Sequence, residues 1–374
     1  MSLPTDASSI TTPEPLREDR LILVMGAAKS GMSLFTAMLA ALGCHVPQPE
    51  TGGGEGPFRG FGEPRWVSNL HARLLRDARV QSVDARPSAW AQAAAAARAP
   101  GIGRQIERWL ANEFKRGNDH VVVKDPRLFW FVPAWRRAGE TVAAPCFVTL
   151  LRHPLEVIQP KNAPDAGRWN TNAQTAGWIN VMLFSERATR GDRRAIVRYE
   201  DLADDGMAAV ANVAEELDLS FIERPIPEQM RVATDLRDPD RSERRATWES
   251  LEVGSPLAEL AEEVAAVLEK AASSGQLDDS SVRTELDALR QRYVDLYSFA
   301  ESTAQFSIAV GGAAGPTLAA PGSAANKGAQ ISQARLKKLV RKVSKKGKRT
   351  IYDVRNRRGS APGGEEQPTA SNAK

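Results

Sequence analysis

The chain has 374 residues, 42% of them hydrophobic, with 50 Lys and Arg, 46 Asp and Glu, 4 His and 2 Cys. That is ample apolar material for a sizeable core, and it contains no apolar run of the roughly 18 residues that would suggest a membrane span. Cys44 and Cys146 are too few for a disulfide or zinc framework and histidine is scarce, so buried core thiols and no metal site are expected. The net charge of +4 is unevenly placed: from residue 331 on, 13 basic residues face 3 acidic ones, so the tail carries +10 and the other 330 residues carry −6. This excludes a uniformly basic, nucleic-acid-binding body.

Residues 1–18 read as a disordered leader with no apolar signal region, which fits a cytoplasmic location. Leu21 to Met25 is a continuous apolar run, the pattern of a buried parallel strand. It leads into Gly26-Ala-Ala-Lys29-Ser30-Gly31-Met32-Ser33 and then a helix ending at Gly43. Strand, glycine-bearing turn and helix start make an anion cradle: the first helical N–H groups are unpaired, and the helix dipole adds partial positive charge. Lys29 adds a full charge; Ser30 and Ser33 add hydroxyls.

Val46 to Gly62 is a loop rich in glycine and proline. A helix follows from Glu63 to Leu75, with Pro64 in its first turn. Residues 88–99 are alanine-rich and helical in pattern, and Ile102 to Lys115 is an amphipathic helix. His120 to Lys124 reads as a second strand, running into Asp125-Pro126-Arg127 and a helical segment, Leu128 to Arg137. Cys146 to Leu151 reads as a third strand, ending at Arg152-His153-Pro154. A helix from Thr171 to Thr189 leads to a fourth strand, Ala195 to Tyr199, followed by Glu200-Asp201-Leu202 and a helix to about Leu217. Residues 218–250 are irregular, Pro256 to Ser274 and Ser280 to Ser302 are charged amphipathic helices, and residues 303–330 read as a flexible linker. The expected domains are therefore 1–18, 19–302, 303–330 and 331–374.

Strands alternating with helices predict an α/β domain with a central parallel sheet flanked by helices, and C-terminal helices added. Ligands of such sheets bind beyond the strand C-termini. All four strands carry polar or charged residues there: Lys29, Lys124 with Arg127, Arg152, and Tyr199 with Glu200 and Asp201. An anionic, nucleotide-like ligand is the expected occupant.

The four strand ends also resemble, in order and spacing over about residues 20–215, the motifs of bacterial sulfotransferases that use 3′-phosphoadenosine 5′-phosphosulfate (PAPS). The Gly26–Ser33 loop is similar to that family's 5′-phosphosulfate loop. Lys124-Asp125-Pro126-Arg127 is similar to its Lys-Asp-Pro-Arg element, Leu151-Arg152-His153-Pro154 to its 3′-phosphate segment, and Arg198-Tyr199-Glu200-Asp201-Leu202 to its Tyr-Glu-Asp-Leu strand end. The resemblance implies a P-loop-like, three-layer domain. It assigns Gly26, Lys29, Ser30, Gly31, Met32, Ser33 and Arg152 to PAPS binding, and Lys29 and Lys124 to charge near the sulfuryl group. Arg127 is either part of that site or a partner of Asp125. Relatives that use a glutamate as base place it where Glu63 stands here; Glu50 and His71 are weaker substitutes, and Glu63 also reads as a helix-start charge. Trp66, Trp169 and Trp178 read first as core residues. The chain departs from the family pattern at Pro160, where a serine is usual, and at Met32.

The tail from Ala334 to Arg349 spaces its apolar residues on one helical stripe among lysines and arginines, which suits an anionic membrane surface. The leading expectation is sulfuryl transfer to a hydroxyl of a glycan or glycolipid acceptor, peripherally at the inner face of the membrane. The alternatives are a degenerate, non-catalytic nucleotide- or membrane-binding scaffold and, disfavoured by the lack of a Gly-x-x-x-x-Gly-Lys-Ser/Thr motif, a P-loop kinase.

Overall fold

The computed structural model describes residues 20–47, 63–117, 120–158, 170–219 and 246–313, with side chains as far as 306. The expectations placed on Glu50, Pro160, Trp169, the leader and the basic tail lie outside these residues. Contacts divide the chain into a unit Met1–Ser302 and a unit Thr303–Lys374. The second is described only over 303–313, where it is helical.

Among the described residues, four strands form the sheet: β1 (Arg20–Gly26), β2 (His120–Lys124), β3 (Ala144–Leu151) and β4 (Arg193–Arg198). All neighbours are parallel, in the order β2-β1-β3-β4, with Leu23 opposite Val123 on one side and Phe147 on the other. Parallel strands need long crossovers, and helices supply them. Between β1 and β2 lie α1 (Met32–Ala41), α2 (Arg65–Ala78), α3 (Ala89–Ala97) and α4 (Ile102–Arg116). A 3₁₀ turn (Leu128–Phe131) and α5 (Val132–Gly139) lead to β3, and α6 (Pro154–Val157) and α7 (Thr171–Ala188) to β4. After β4 come α8 (Tyr199–Asp204), α9 (Gly206–Leu217), α10 (Ser255–Ser274) and α11 (Ser280–Ala313). The fold class is as expected: a three-layer α/β domain on a parallel sheet. Helix α11 runs on past Ser302 to Ala313.

The middle stretches of the strands are largely apolar because both faces are covered, and their alternate residues feed two cores. Leu21, Leu23, Met25, Val121, Val123 and Phe147 pack on the larger side, with α2 to α5, α7, α10 and α11. Ile22, Val24, Val122, Cys146, Val148 and Val197 pack on the smaller side, with α1 and α9. Trp130 and Trp135 are fully buried and Trp178 nearly so. Trp66 is partly buried and stacks on Trp109 with ring centroids 5.1 Å apart. No described helix is long and apolar enough to cross a membrane.

Candidate active site

The sheet order reverses at β1: the chain passes to β2 on one side, then returns to β3 on the other. Such a switch point leaves a crevice at the strand C-termini. Gly26 and Leu151 end the two central strands, and the Lys29 loop and Arg152 follow directly. A cleft of about 280 Å³ opens there, lined by Ala28, Lys29, Gly31, Met32, Ser33, Leu34, Glu63, Lys124, Pro126 and Arg152. Of the residues assigned to the site by sequence, Lys29, Gly31, Met32, Ser33, Glu63, Lys124 and Arg152 meet in this cleft.

Gly26 and Ser30 do not line it. Gly26 is the seam where the loop leaves the sheet: a methyl there would sit 2.7 Å from the Leu150 carbonyl oxygen. Ser30 is fully buried, its Oγ would lie 2.8 Å from that same methyl, and its N–H is spent on the Ala27 carbonyl at 3.3 Å. Both residues therefore shape the loop, and the Ser30 hydroxyl expected as a ligand donor is turned beneath it.

Beyond Gly26, itself at φ 155, the loop is bent by two left-handed residues, Lys29 (φ 63) and Gly31 (φ 91). Gly31 precedes α1, whose first intrahelical bond runs from Phe35 N to Gly31 O at 3.0 Å. Helical geometry therefore leaves the N–H groups of Met32, Ser33 and Leu34 without i−4 carbonyls, at the end of α1 that meets the cleft. Gly31 supplies no side-chain cap.

Lys124 is carried to the cleft by the last residue of β2, and its side chain is only 6% exposed. Its Nζ donates to Ser33 Oγ at 3.1 Å and pairs with Glu63 Oε1 at 2.8 Å. One buried ammonium thus ties α1 to the residue just ahead of α2. The Glu63 side chain is 32% exposed and is the acidic residue in the lining. It precedes the helix, whose N-cap is Pro64, so the dipole and the base readings are both served by its position.

Arg152 is nearly buried. Its Nη1 donates to the Lys29 carbonyl at 2.9 Å, its Nε to Glu156 Oε2 at 3.0 Å, and its guanidinium lies over the Tyr199 ring, Cζ 3.7 Å from the centroid. Neither Glu156 nor Tyr199 was assigned a role with Arg152 from sequence. The i,i+4 spacing of Arg152 and Glu156 was the available signal for the first; the cation–π contact crosses from β3 to α8 and left none.

Of the rest of the Lys-Asp-Pro-Arg element, Pro126 lines the cleft, while Asp125 and Arg127 pair with each other. Asp125 is fully buried and takes Arg127 in a fork, Nε at 2.9 Å and Nη2 at 2.6 Å, plus the Arg127 N–H at 2.7 Å. Arg127 continues to Ser68 Oγ at 2.9 Å. Of its two expected roles, Arg127 takes the structural one. His71 Nε2 accepts from Trp135 Nε1 at 2.8 Å, which places the ring proton on Nδ1, 3.2 Å from Asp125 Oδ1, close but off the line of an ideal hydrogen bond. Burial pushes the Asp125 carboxyl up, but His71 and Arg127 beside it outweigh this and hold it well below the usual carboxylate range. His71 is fully buried in this chain of contacts and does not line the cleft, which removes it as a substitute base. Among the described residues, no group of three His, Cys, Asp or Glu could hold a metal ion.

No protein-family model matches the chain, and no curated protein matches it. Solved structures similar to it include the sulfotransferase domain of the Synechococcus PCC 7002 olefin synthase, at 17% identity over 67% of this chain and 96% of that one, TM-score 0.37. Another is the sulfotransferase domain of the curacin biosynthetic pathway, at 16% identity over 66% and 96%, TM-score 0.37. A third is sulfotransferase STF1 of Mycobacterium tuberculosis H37Rv, at 15% identity over 67% and 77%, TM-score 0.34. At these values the likeness says nothing about activity, and the fold assignment rests on the sheet and its crossovers.

Proposed function

We propose that the chain is a PAPS-dependent sulfotransferase that moves a sulfuryl group to a hydroxyl of a glycan or glycolipid acceptor. The observation that carries the reading is the cleft at the β1/β3 switch point, where Lys29, Lys124, Arg152 and a helix N-terminus surround one carboxylate, Glu63. The four ordered motifs support it from the sequence side.

The donor set fits an anion of this kind: two ammonium groups, a guanidinium, the Ser33 hydroxyl and helical N–H groups. Bound PAPS supplies a sulfuryl group whose bond to a 5′-phosphate oxygen breaks as the acceptor oxygen bonds to sulfur. Lys29 and the N–H groups that open α1 hold the phosphosulfate end and stabilise the electron pair left on the phosphate oxygen. Lys124, anchored by Ser33, neutralises charge beside the transferring group. Glu63 takes the acceptor's proton, after leaving its resting ion pair with Lys124. Arg152 offers Nη2, the part of its fork not used by Lys29 or Glu156, to the 3′-phosphate. Residues 331–374 would hold the enzyme reversibly on an anionic, cytoplasmic membrane face, beside a lipid-linked acceptor.

Calorimetric titration with adenosine 3′,5′-bisphosphate and with ATP tests the donor. The bisphosphate is expected to bind, and Lys29→Ala to weaken it. Preference for ATP would sink the reading in favour of a kinase. Binding without sulfuryl transfer to any hydroxyl acceptor would leave a non-catalytic relative. Liposome flotation with and without residues 331–374 tests the tail; equal flotation of both forms refutes its role.

A further inference from the structure

We propose that Arg152 is a strut that sets the shape of the Lys29 loop, and that Glu156 and Tyr199 are positioning residues acting on a bound anion through it. The effect on the anion rests on the reading above; the effect on the loop does not.

Lys29 sits at φ 63, a conformation that side chains other than glycine avoid. Lysine has no short polar side chain to favour it locally, so the surrounding structure must hold it. Its carbonyl accepts the Arg152 Nη1 bond at 2.9 Å, a charge-assisted bond in a water-poor place. That bond holds only if the guanidinium stays where it is. Glu156 fixes one edge through Nε, and the Tyr199 ring fixes one face at 3.7 Å.

Tyr199 also touches the loop directly. The same ring lies so near Gly31 that a methyl there would stand 2.8 Å from Cδ2. Both left-handed residues of the loop thus lean on one aromatic ring, Gly31 by direct contact and Lys29 through Arg152. Tyr199 is nearly buried and opens α8, directly after β4. The strut therefore joins the third and fourth strand ends to the loop at the end of the first. Because the Lys29 peptide precedes the N–H groups that open α1, loosening it misaims those donors without removing any of them.

The test reads the loop without ligand and then with it. Amide hydrogen exchange over residues 27–35 is compared in full-length wild type, Tyr199→Leu, Glu156→Gln and Tyr199→Phe, with residues 120–124 of β2 as internal control. Tyr199→Leu and Glu156→Gln are expected to speed loop exchange about tenfold while the β2 amides stay protected. Titration with inorganic pyrophosphate and with adenosine 3′,5′-bisphosphate should then weaken about tenfold in both. Tyr199→Phe keeps the ring and is expected to rescue exchange and affinity together. Unchanged loop exchange in both Tyr199→Leu and Glu156→Gln overturns the strut, whatever the protein binds. A loosened loop with undiminished affinity overturns the positioning role. If the loop loosens as expected but wild type binds neither anion, the strut stands and the functional reading above falls.

Discussion

Two glycines with nearly the same backbone angle let the packing around the anion loop be weighed. Gly31 has φ 91 and Gly43 has φ 94. A methyl at Gly43 would meet nothing within 4 Å, whereas one at Gly31 would stand 2.8 Å from Tyr199 Cδ2, 3.3 Å from Cε2 and 3.4 Å from Leu202 Cδ2. Gly43→Ala therefore carries the backbone term alone, about 1–2 kcal/mol for a left-handed L-residue. Gly31→Ala carries the same term plus the displacement of a buried ring, another ~1–3 kcal/mol for an overpacked core. The expected losses are thus about 1–2 kcal/mol for the first variant and about 2–5 kcal/mol for the second. Urea unfolding at pH 7 followed by tryptophan fluorescence measures both. Adding Tyr199→Leu to Gly31→Ala should recover part of the steric share, because the two sites are in contact and their effects do not add. Equal losses in the two single variants would refute the reasoning, since they would mean that the ring does not press on the loop.

Three further outcomes are expected. Glu63→Gln should lower kcat about 10²–10⁴-fold while leaving bisphosphate affinity within a few-fold of wild type; unchanged transfer removes Glu63 as the base. The depressed Asp125 carboxyl contributes stability that is fully present above the unfolded value near 3.9 and is lost as pH falls below it towards the folded value. The urea midpoint should therefore drop between about pH 4 and pH 2, and drop less steeply in Asp125→Asn; parallel profiles would show that Asp125 is not the group concerned. Burial pushes the Cys146 thiol up to about 12 and Cys44 higher still, so neither should react with a maleimide at pH 7 until denaturant is added. Rapid labelling of the native protein at either position would contradict the buried placement.

Much of this architecture was readable because its signals are local. Apolar runs such as Leu21–Met25 and Val121–Val123 name strands buried on both faces, and the charged residues that follow them name the cleft. The meeting of Lys29, Lys124 and Arg152 needed only the rule that parallel strands share one C-terminal edge. What stayed hidden depends on contacts across the sequence. The Ser30 hydroxyl looked like a ligand donor, but the turn that brings Lys29 into the left-handed region rotates its neighbour under the loop. Arg127 was left between two roles because its fork on Asp125 and its reach to Ser68 depend on where α2 docks. Leu128 to Arg137 read as one helix, yet its first turn is 3₁₀, with four consecutive large residues, Leu128 to Phe131, all buried. Tyr199 begins a separate short helix rather than ending β4, which turns its ring toward Arg152 instead of leaving it at the sheet edge.

The position of β1 in the sheet bears on how the protein is made. Of the described strands, the earliest in the chain is a central one, and its two neighbours are roughly a hundred residues further along. Until β2 and β3 have both emerged, Leu21 to Met25 is an apolar segment with two open edges, the kind of surface that invites mispairing or a chaperone. The anion loop at its end therefore gains its shape late, once Arg152 and then Tyr199 arrive to lean on it. A nascent chain stopped short of residue 199 would hold every lysine of the cleft and still lack the ring that steadies the loop.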